Sequence, residues 1–323
     1  MVAILEYPIS SPMTWSGETL LENDGIVPLG DDCIAELNSV AEELQANPLP
    51  TVALDPSHFD MPACKALMTH VQAQIDTGIG LTIVDRLPVD QLEEDTAKKL
   101  YWLLMSMVGQ PVAQKWDGTL IYDVTDTGGI AAAGTGIRSS KTTDGQGFHV
   151  DNAFNLPPDF VGLFCLQKSR EGGVSGVISF ETVYNLLLEE QPDVLPRLFE
   201  PFYFDRQKEH APGDEEVTSK PIFESDGKTV FCNYSPSLIL QGYEMVDGEM
   251  DEPARTAMDV LKEVCERPGI GKTFVFERGQ IQIANNKRIG HRRTTFRDWP
   301  EPARRRHLVR IWLRKSGRPF YHG

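Results

Sequence analysis

Beyond Phe148 the sequence becomes a series of short β-branched and aromatic runs, "FVGLFCLQ", "GVSGVISF", "TVFCNYS", "KTFVFERGQIQIANN" and "HLVRIWLR", separated by turn residues. Many short strands can bury their apolar faces only by packing on one another, which restricts the chain to a barrel or a sandwich. Helical periodicity interrupts the series near Glu181 to Glu190 and Glu252 to Glu266. The first third of the chain reads differently. "DDCIAELNSVAEELQAN", "MPACKALMTHVQAQIDTG" and "VDQLEEDTAKKLYWLLMSMVG" repeat apolar residues every three or four positions, with acids early and Gly or Asn near the end, as amphipathic helices do. "GIGLTIVDRLP", between the second and third, reads as a strand. The expected class is α+β: a jelly-roll-like barrel with inserted helices and a helical layer from the N-terminal third.

One domain over 1–323 is expected, with a helix-rich part at 1–117, a loop at 118–147 and the main strand-rich part at 148–323. The loop is rich in Gly, Thr and Ser, and a loop of that length inside a compact domain usually serves as a lid or a binding surface. A formal net charge of −16 opposes nonspecific binding to nucleic acid or to an anionic membrane. No apolar run approaches a membrane span. "MVAILEYPI" is too short, and too soon broken by Glu6 and Pro8, for a signal peptide. A cytoplasmic protein without a nucleic-acid or membrane partner is expected, and a homo-oligomer is left open. Cys33, Cys64, Cys165, Cys232 and Cys265 are scattered without a CxxC pair and read as buried or inert thiols. Lys287 to Arg318 is a basic run on this acidic background and needs its own explanation.

The stretch "GFHVDNAFN" sets His149 and Asp151 two positions apart in a strand-like run. In a strand, residues i and i+2 share a face, so the two side chains would project into one cavity. Two histidines and a carboxylate on one face of an octahedron hold iron in non-haem Fe(II) oxygenases. An isolated His beside an Asp is more often a hydrogen-bonded pair, however. For a third ligand, His291 lies near a strand end after "GQIQIANN", and His307 competes with it. On "RRRHLVRIWLR", His307 alternates with Val309, Ile311 and Leu313, whereas Arg306, Leu308, Arg310, Trp312 and Arg314 share the opposite face. A buried guanidinium there would need an anionic partner, although basic residues also suit a solvated edge strand.

In this order, "FHVD", "NNKRIGHRR" and "RRRHLVR" resemble the taurine dioxygenase (TauD/TfdA) and clavaminate synthase-like family of Fe(II)/2-oxoglutarate-dependent oxygenases, over roughly Gly147 to Arg314. The resemblance implies a double-stranded β-helix, the cupin-like jelly roll. It implies that His149, Asp151 and His291 bind Fe(II), with 2-oxoglutarate and O2 as cosubstrates. It implies that Arg310, 19 residues after His291, pairs with the distal carboxylate of 2-oxoglutarate, with Arg306 as a nearby second guanidinium. "EGGVSG" resembles the family's GG-x-T segment and puts Ser175 on the same carboxylate. Asn286 stands where the family commonly has an asparagine and is a candidate support for the ligands. Two departures matter. Arg292 follows His291 where Gly is usual, which leaves the local backbone or the entrance in doubt. Asp151 supplies a carboxylate that halogenating relatives lack, which argues for hydroxylation or a related oxidation.

The implied reaction converts 2-oxoglutarate to succinate and CO2 while hydroxylating, desaturating or cyclising a small polar molecule, with an amino acid or natural-product intermediate favoured. The lid would bring Arg138, Ser139, Ser140 and Lys141 to the substrate, with Asn152 beside the metal strand. Part of the basic run would then anchor anions. The rivals are a zinc-dependent hydrolase using the same His-Asp-His set, which has no use for Arg310, a silent jelly-roll binding module, and a nucleic-acid demethylase, which the net charge opposes.

Overall fold

The computed structural model describes residues 4–321, so His322 lies outside it. The N-terminal part holds strand β1 (Ile26–Pro28), helices α1 (Asp31–Ala46) and α2 (Pro62–Asp76), strand β2 (Leu81–Asp85) and helix α3 (Glu94–Val108). Strands β3 (Gln110–Val112) and β4 (Ile121–Val124) precede an irregular segment that ends at β5 (Gln146–His149). After it come β6 (Phe160–Gln167), β7 (Glu171–Gly172), β8 (Ser175–Ser179), α4 (Phe180–Glu190) and the short α5 (Leu195–Leu198). Two hairpins follow, β9 (Pro201–Asp205) with β10 (Val217–Pro221) and β11 (Phe223–Ser225) with β12 (Val230–Cys232). Helices α6 (Pro236–Met245) and α7 (Glu252–Cys265) lead to β13 (Lys272–Phe274), β14 (Ile281–Asn285), β15 (Ile289–Arg293), β16 (Phe296–Arg297) and β17 (His307–Arg314).

The fold is a mixed α/β arrangement around two sheets. The larger runs β1-β2-β14-β6-β17-β3 with β4 also paired to β17, and the smaller runs β13-β8-β15-β5. On β17 the period of two divides the side chains as expected. Val309, Ile311 and Leu313 join Phe160 and Phe164 of β6 in a core with the apolar faces of α1, α2 and α3. Leu308, Arg310 and Trp312 face a cavity on the other side. Behind the smaller sheet, Phe148, Ile178 and Phe180 pack with α4, α6 and α7 in a second core. Each sheet is thus covered on its outer face by helices, and the two inner faces share the cavity.

The three N-terminal helices, α4 and α7 fall where the sequence periodicity places them. Three elements differ. "KTFVFERGQIQIANN" is two strands in different sheets, because the chain turns at Gly279, where φ is 90° and a Cβ would come 2.5 Å from the Leu87 carbonyl oxygen. "PSLILQGYEM" is helical, starting at Ser235-Pro236. The metal-strand stretch leaves β geometry after His149. All five cysteines are buried free thiols. The basic run is dispersed: Lys287 pairs with Asp159, Arg288 with Glu181 and Lys315 with Asp76. No helix among the described residues is long and apolar enough to cross a membrane.

Candidate active site

His149 ends β5 directly opposite His291 of β15 in the antiparallel register, with ring centroids 4.3 Å apart. Asp151 does not sit on the strand, so the strand period is not what brings it there. The chain turns after Val150, and Asn152 takes a φ of 56°. Asn286 sets the carboxylate in place. Its Oδ1 accepts the Asp151 N–H at 2.8 Å, and its Nδ2 donates to the Asp151 carbonyl at 2.9 Å. A fully buried amide with both ends used holds one backbone geometry.

Asp151 Oδ1 lies 3.8 Å from His149 Nε2 and 3.6 Å from His291 Nε2, and the three donor atoms fall within 4.8 Å of one another. His149 Nδ1 is 2.9 Å from the Gly147 carbonyl. That bond makes Nδ1 the protonated nitrogen and turns the Nε2 lone pair towards the cluster. Burial, helped by the neighbouring His291, pushes the His149 pKa down to about 4, so the ring is neutral near pH 7. The other oxygen of Asp151 is already used: Trp312 Nε1 donates to Oδ2 at 2.7 Å, and Arg310 Nη1 lies 3.0 Å away. Burial opposes ionisation of Asp151, but Arg310 and the two histidines hold its carboxyl well below the usual carboxylate range. Trp312→Phe keeps the ring and removes the donor. It should weaken Fe(II) binding by roughly 10- to 100-fold, as loss of a group supporting a metal ligand does; unchanged affinity in an anaerobic metal titration would show that Oδ2 needs no such support.

The arginines divide into two kinds. Arg310 is engaged, with Nη1 on Asp151 and Nε donating to Gln114 Oε1 at 2.8 Å. Gln114 returns a bond from Nε2 to the Arg310 carbonyl, also 2.8 Å. Arg306 has no acidic partner within ion-pair distance among the described residues. Its guanidinium lies 5.1 Å from the centre of the Phe296 ring, and burial lowers its pKa to about 10. The anchor expected at Arg310 is therefore held by the metal-site carboxylate, whereas Arg306 faces the cavity beside Ser175. The cavity measures about 190 Å³ and is lined by His149, Asp151, His291, Ser175, Arg293, Arg306 and Arg310, with Leu163, Leu308 and Trp312 as its apolar wall.

The segment between β4 and β5 brings Arg138, Ser139 and Ser140 to the cavity edge. Lys141 is not among the lining residues: its ammonium lies 4.5 Å from the centre of the Tyr122 ring and donates to the Asp123 carbonyl. The long side chain finds that aromatic face and carbonyl on its own side of the segment. Asn152 lines the cavity, but its Nδ2 donates to the Leu156 carbonyl at 2.9 Å and its Oδ1 accepts from Tyr321 at 3.3 Å. His307 is outside the site, 2.7 Å from Asp123. Sequence reasoning missed Gln114 and Glu209, which carry no motif. It also missed Ser235 and Ser237 at the start of α6, where a Ser-Pro helix start was a usable signal. Arg138 Nη2 is 2.8 Å from Glu209 Oε1, with both side chains buried. Glu209→Gln should destabilise the fold by about 3 kcal/mol, since it leaves a buried guanidinium without its charge partner. A urea midpoint equal to that of the wild type would show that Arg138 relaxes to solvent.

Residues 45–312 match the Taurine catabolism dioxygenase TauD, TfdA family. FR-33289 synthase of Streptomyces rubellomurinus (strain ATCC 31215) is 25% identical over 325 residues, covering 99% of this chain and 94% of the synthase. The taurine hydroxylase-like protein SAT17 of Stachybotrys chartarum (strain CBS 109288 / IBT 7711) is 26% identical over 314 residues, covering 94% of this chain and 79% of its own. Among solved structures, asparagine oxygenase (AsnO) aligns with a TM-score of 0.68 at 17% identity, over 90% of this chain and 93% of that one. The non-heme iron oxygenase OrfP in complex with Fe and alpha-ketoglutaric acid aligns with a TM-score of 0.62 at 17% identity, over 90% and 94%. These two structures share the fold. The match along residues 45–312 shows that the chain belongs to the Taurine catabolism dioxygenase TauD, TfdA family.

Proposed function

We propose that the protein is an Fe(II)- and 2-oxoglutarate-dependent oxygenase that oxidises a small polar molecule, with succinate and CO2 as coproducts. The observation that carries this reading is the convergence of His149 Nε2, Asp151 Oδ1 and His291 Nε2 in a cavity that also contains an arginine without an acidic partner. Two imidazoles and a carboxylate on one side, with the rest of the coordination sphere open to a cavity, suit Fe(II). Bound there, Fe(II) would supply O2 activation coupled to decarboxylation of 2-oxoglutarate. Two sheets closing on a shared cavity suit a double-stranded β-helix in a single domain; the enzyme is proposed to be cytoplasmic.

His149, Asp151 and His291 hold the metal, and Asn286, Trp312 and Arg310 fix Asp151 so that only Oδ1 reaches it. Arg306 and Ser175, rather than Arg310, receive the distal carboxylate of 2-oxoglutarate. Leu163, Leu308 and Trp312 keep bulk water from the reacting atoms. Arg138, Ser139, Ser140 and Asn152 border the substrate. An amino acid or a biosynthetic intermediate is the favoured substrate class: one family relative is named a synthase, and the solved relatives hold hydroxyasparagine and hydroxyarginine. A zinc hydrolase would leave Arg306 and Ser175 without a role, and the Asp151 carboxylate argues against halogenation.

Anaerobic addition of Fe(II) and then 2-oxoglutarate to metal-free protein should produce a weak visible charge-transfer band in the wild type and none in His149→Ala. Small amino acids can then be screened for stimulated succinate formation. A protein that binds zinc but forms no band would overturn the oxygenase reading.

A further inference from the structure

We propose that Arg293 is a second guanidinium for the distal carboxylate of 2-oxoglutarate, acting with Arg306 and Ser175; this assignment rests on the oxygenase reading above. Strand β15 places His291 and Arg293 on one face, so the strand that presents a metal ligand presents a guanidinium at its next inward position. Two residues of strand advance roughly 6.6 Å, comparable to the length of a five-carbon diacid. The neighbouring strand repeats the spacing: Val177 is the register partner of His291, and Ser175 is that of Arg293.

Arg306 reaches the same place from the position just before β17 of the larger sheet. Both guanidiniums lie against the Phe296 ring, 4.8 Å and 5.1 Å from its centre. Neither makes an ion pair within 4 Å among the described residues. Asp298 lies near enough to act on both charges, and Asp144 and Asp126 act on Arg293, but none of these carboxylates comes within ion-pair distance; Asp298 Oδ1 accepts the Arg306 backbone N–H at 2.7 Å and its Oδ2 is buried without a partner. Arg293 Nη2 donates to the carbonyls of Thr142 at 3.0 Å and Asp144 at 2.5 Å, and its Nε is buried without a partner. Carbonyls satisfy hydrogen bonds but do not neutralise charge, so two adjacent buried cations remain under-compensated until an anion sits between them. Thr142 and Asp144 end the segment that borders the substrate, so the same residue joins the cosubstrate end of the cavity to the base of that segment.

The test compares 2-oxoglutarate with 2-oxopentanoate, which has the same chain length but lacks the distal carboxylate. Both are titrated anaerobically into Fe(II)-loaded protein and followed by the charge-transfer band. Arg293→Gln keeps donors for the two carbonyls and removes the charge. It should weaken 2-oxoglutarate by roughly 10- to 100-fold, the range for a charge-assisted hydrogen bond, and leave 2-oxopentanoate within about twofold. Arg293→Lys should recover most of the 2-oxoglutarate affinity. Equal weakening of both acids, no weakening of either, or a Lys variant as weak as Gln overturns the assignment. If Arg293→Gln does not fold, the Lys variant alone decides: near wild-type discrimination between the acids supports the role, and lost discrimination removes it. A wild type that binds neither acid fails the oxygenase reading instead.

Discussion

Arg306→Ala should raise the 2-oxoglutarate concentration needed for half-maximal turnover by roughly 100-fold while Fe(II) binding stays near that of the wild type, because a bidentate charged contact worth several kcal/mol is lost. The Arg306 guanidinium lies in the cavity with no acidic partner and is not bonded to any metal-site residue. Arg310→Ala should behave differently. Its guanidinium holds Asp151 Oδ2 at 3.0 Å and Gln114 at 2.8 Å. Removing it frees the carboxylate to turn, so the first loss is metal affinity, measured by anaerobic Fe(II) titration. If Arg310→Ala binds Fe(II) normally and only its 2-oxoglutarate requirement rises, the two arginines have been assigned in the wrong order.

Asp151→Ala should abolish Fe(II) binding and turnover, and should also cost the metal-free protein about 3–5 kcal/mol, since it strands a buried guanidinium. Of the Arg310 donors, Nη2 is already buried without a partner, and only the neutral Gln114 oxygen would remain opposite Nε. Urea denaturation of metal-free protein isolates this cost from any effect of the ion. The double variant Asp151→Ala/Arg310→Met should regain most of the stability without regaining the metal, because the charge is gone along with its partner. If Asp151→Ala alone unfolds at the wild-type midpoint, the pair is not the buried contact described here. His149→Ala and His291→Ala lack that electrostatic penalty. They should lose the metal with much smaller effects on the metal-free fold.

The helices of the N-terminal layer and the face of β17 that carries Leu308, Arg310 and Trp312 were legible in the sequence, because period 3.6 and period 2 are local properties of the backbone. The order of "FHVD", "NNKRIGHRR" and "RRRHLVR" likewise named the three metal-site residues. The strand period does not explain why His149 and Asp151 share a cavity. The strand ends at His149, and the carboxylate is turned inward by Asn286, 135 residues further along the chain. Which arginine meets which anion was equally hidden. Arg306 stands just before β17 and Arg310 within it, both towards the cavity, and only the turn at Asn152 and the amide of Gln114 bring Asp151 to Arg310 and leave Arg306 to the cavity. Lys141 faces Tyr122 for the same kind of reason. Backbone periodicity sets the side on which a residue emerges. Its partner is set by distances between segments far apart in the chain, which exist only once the two sheets have closed on a common interior.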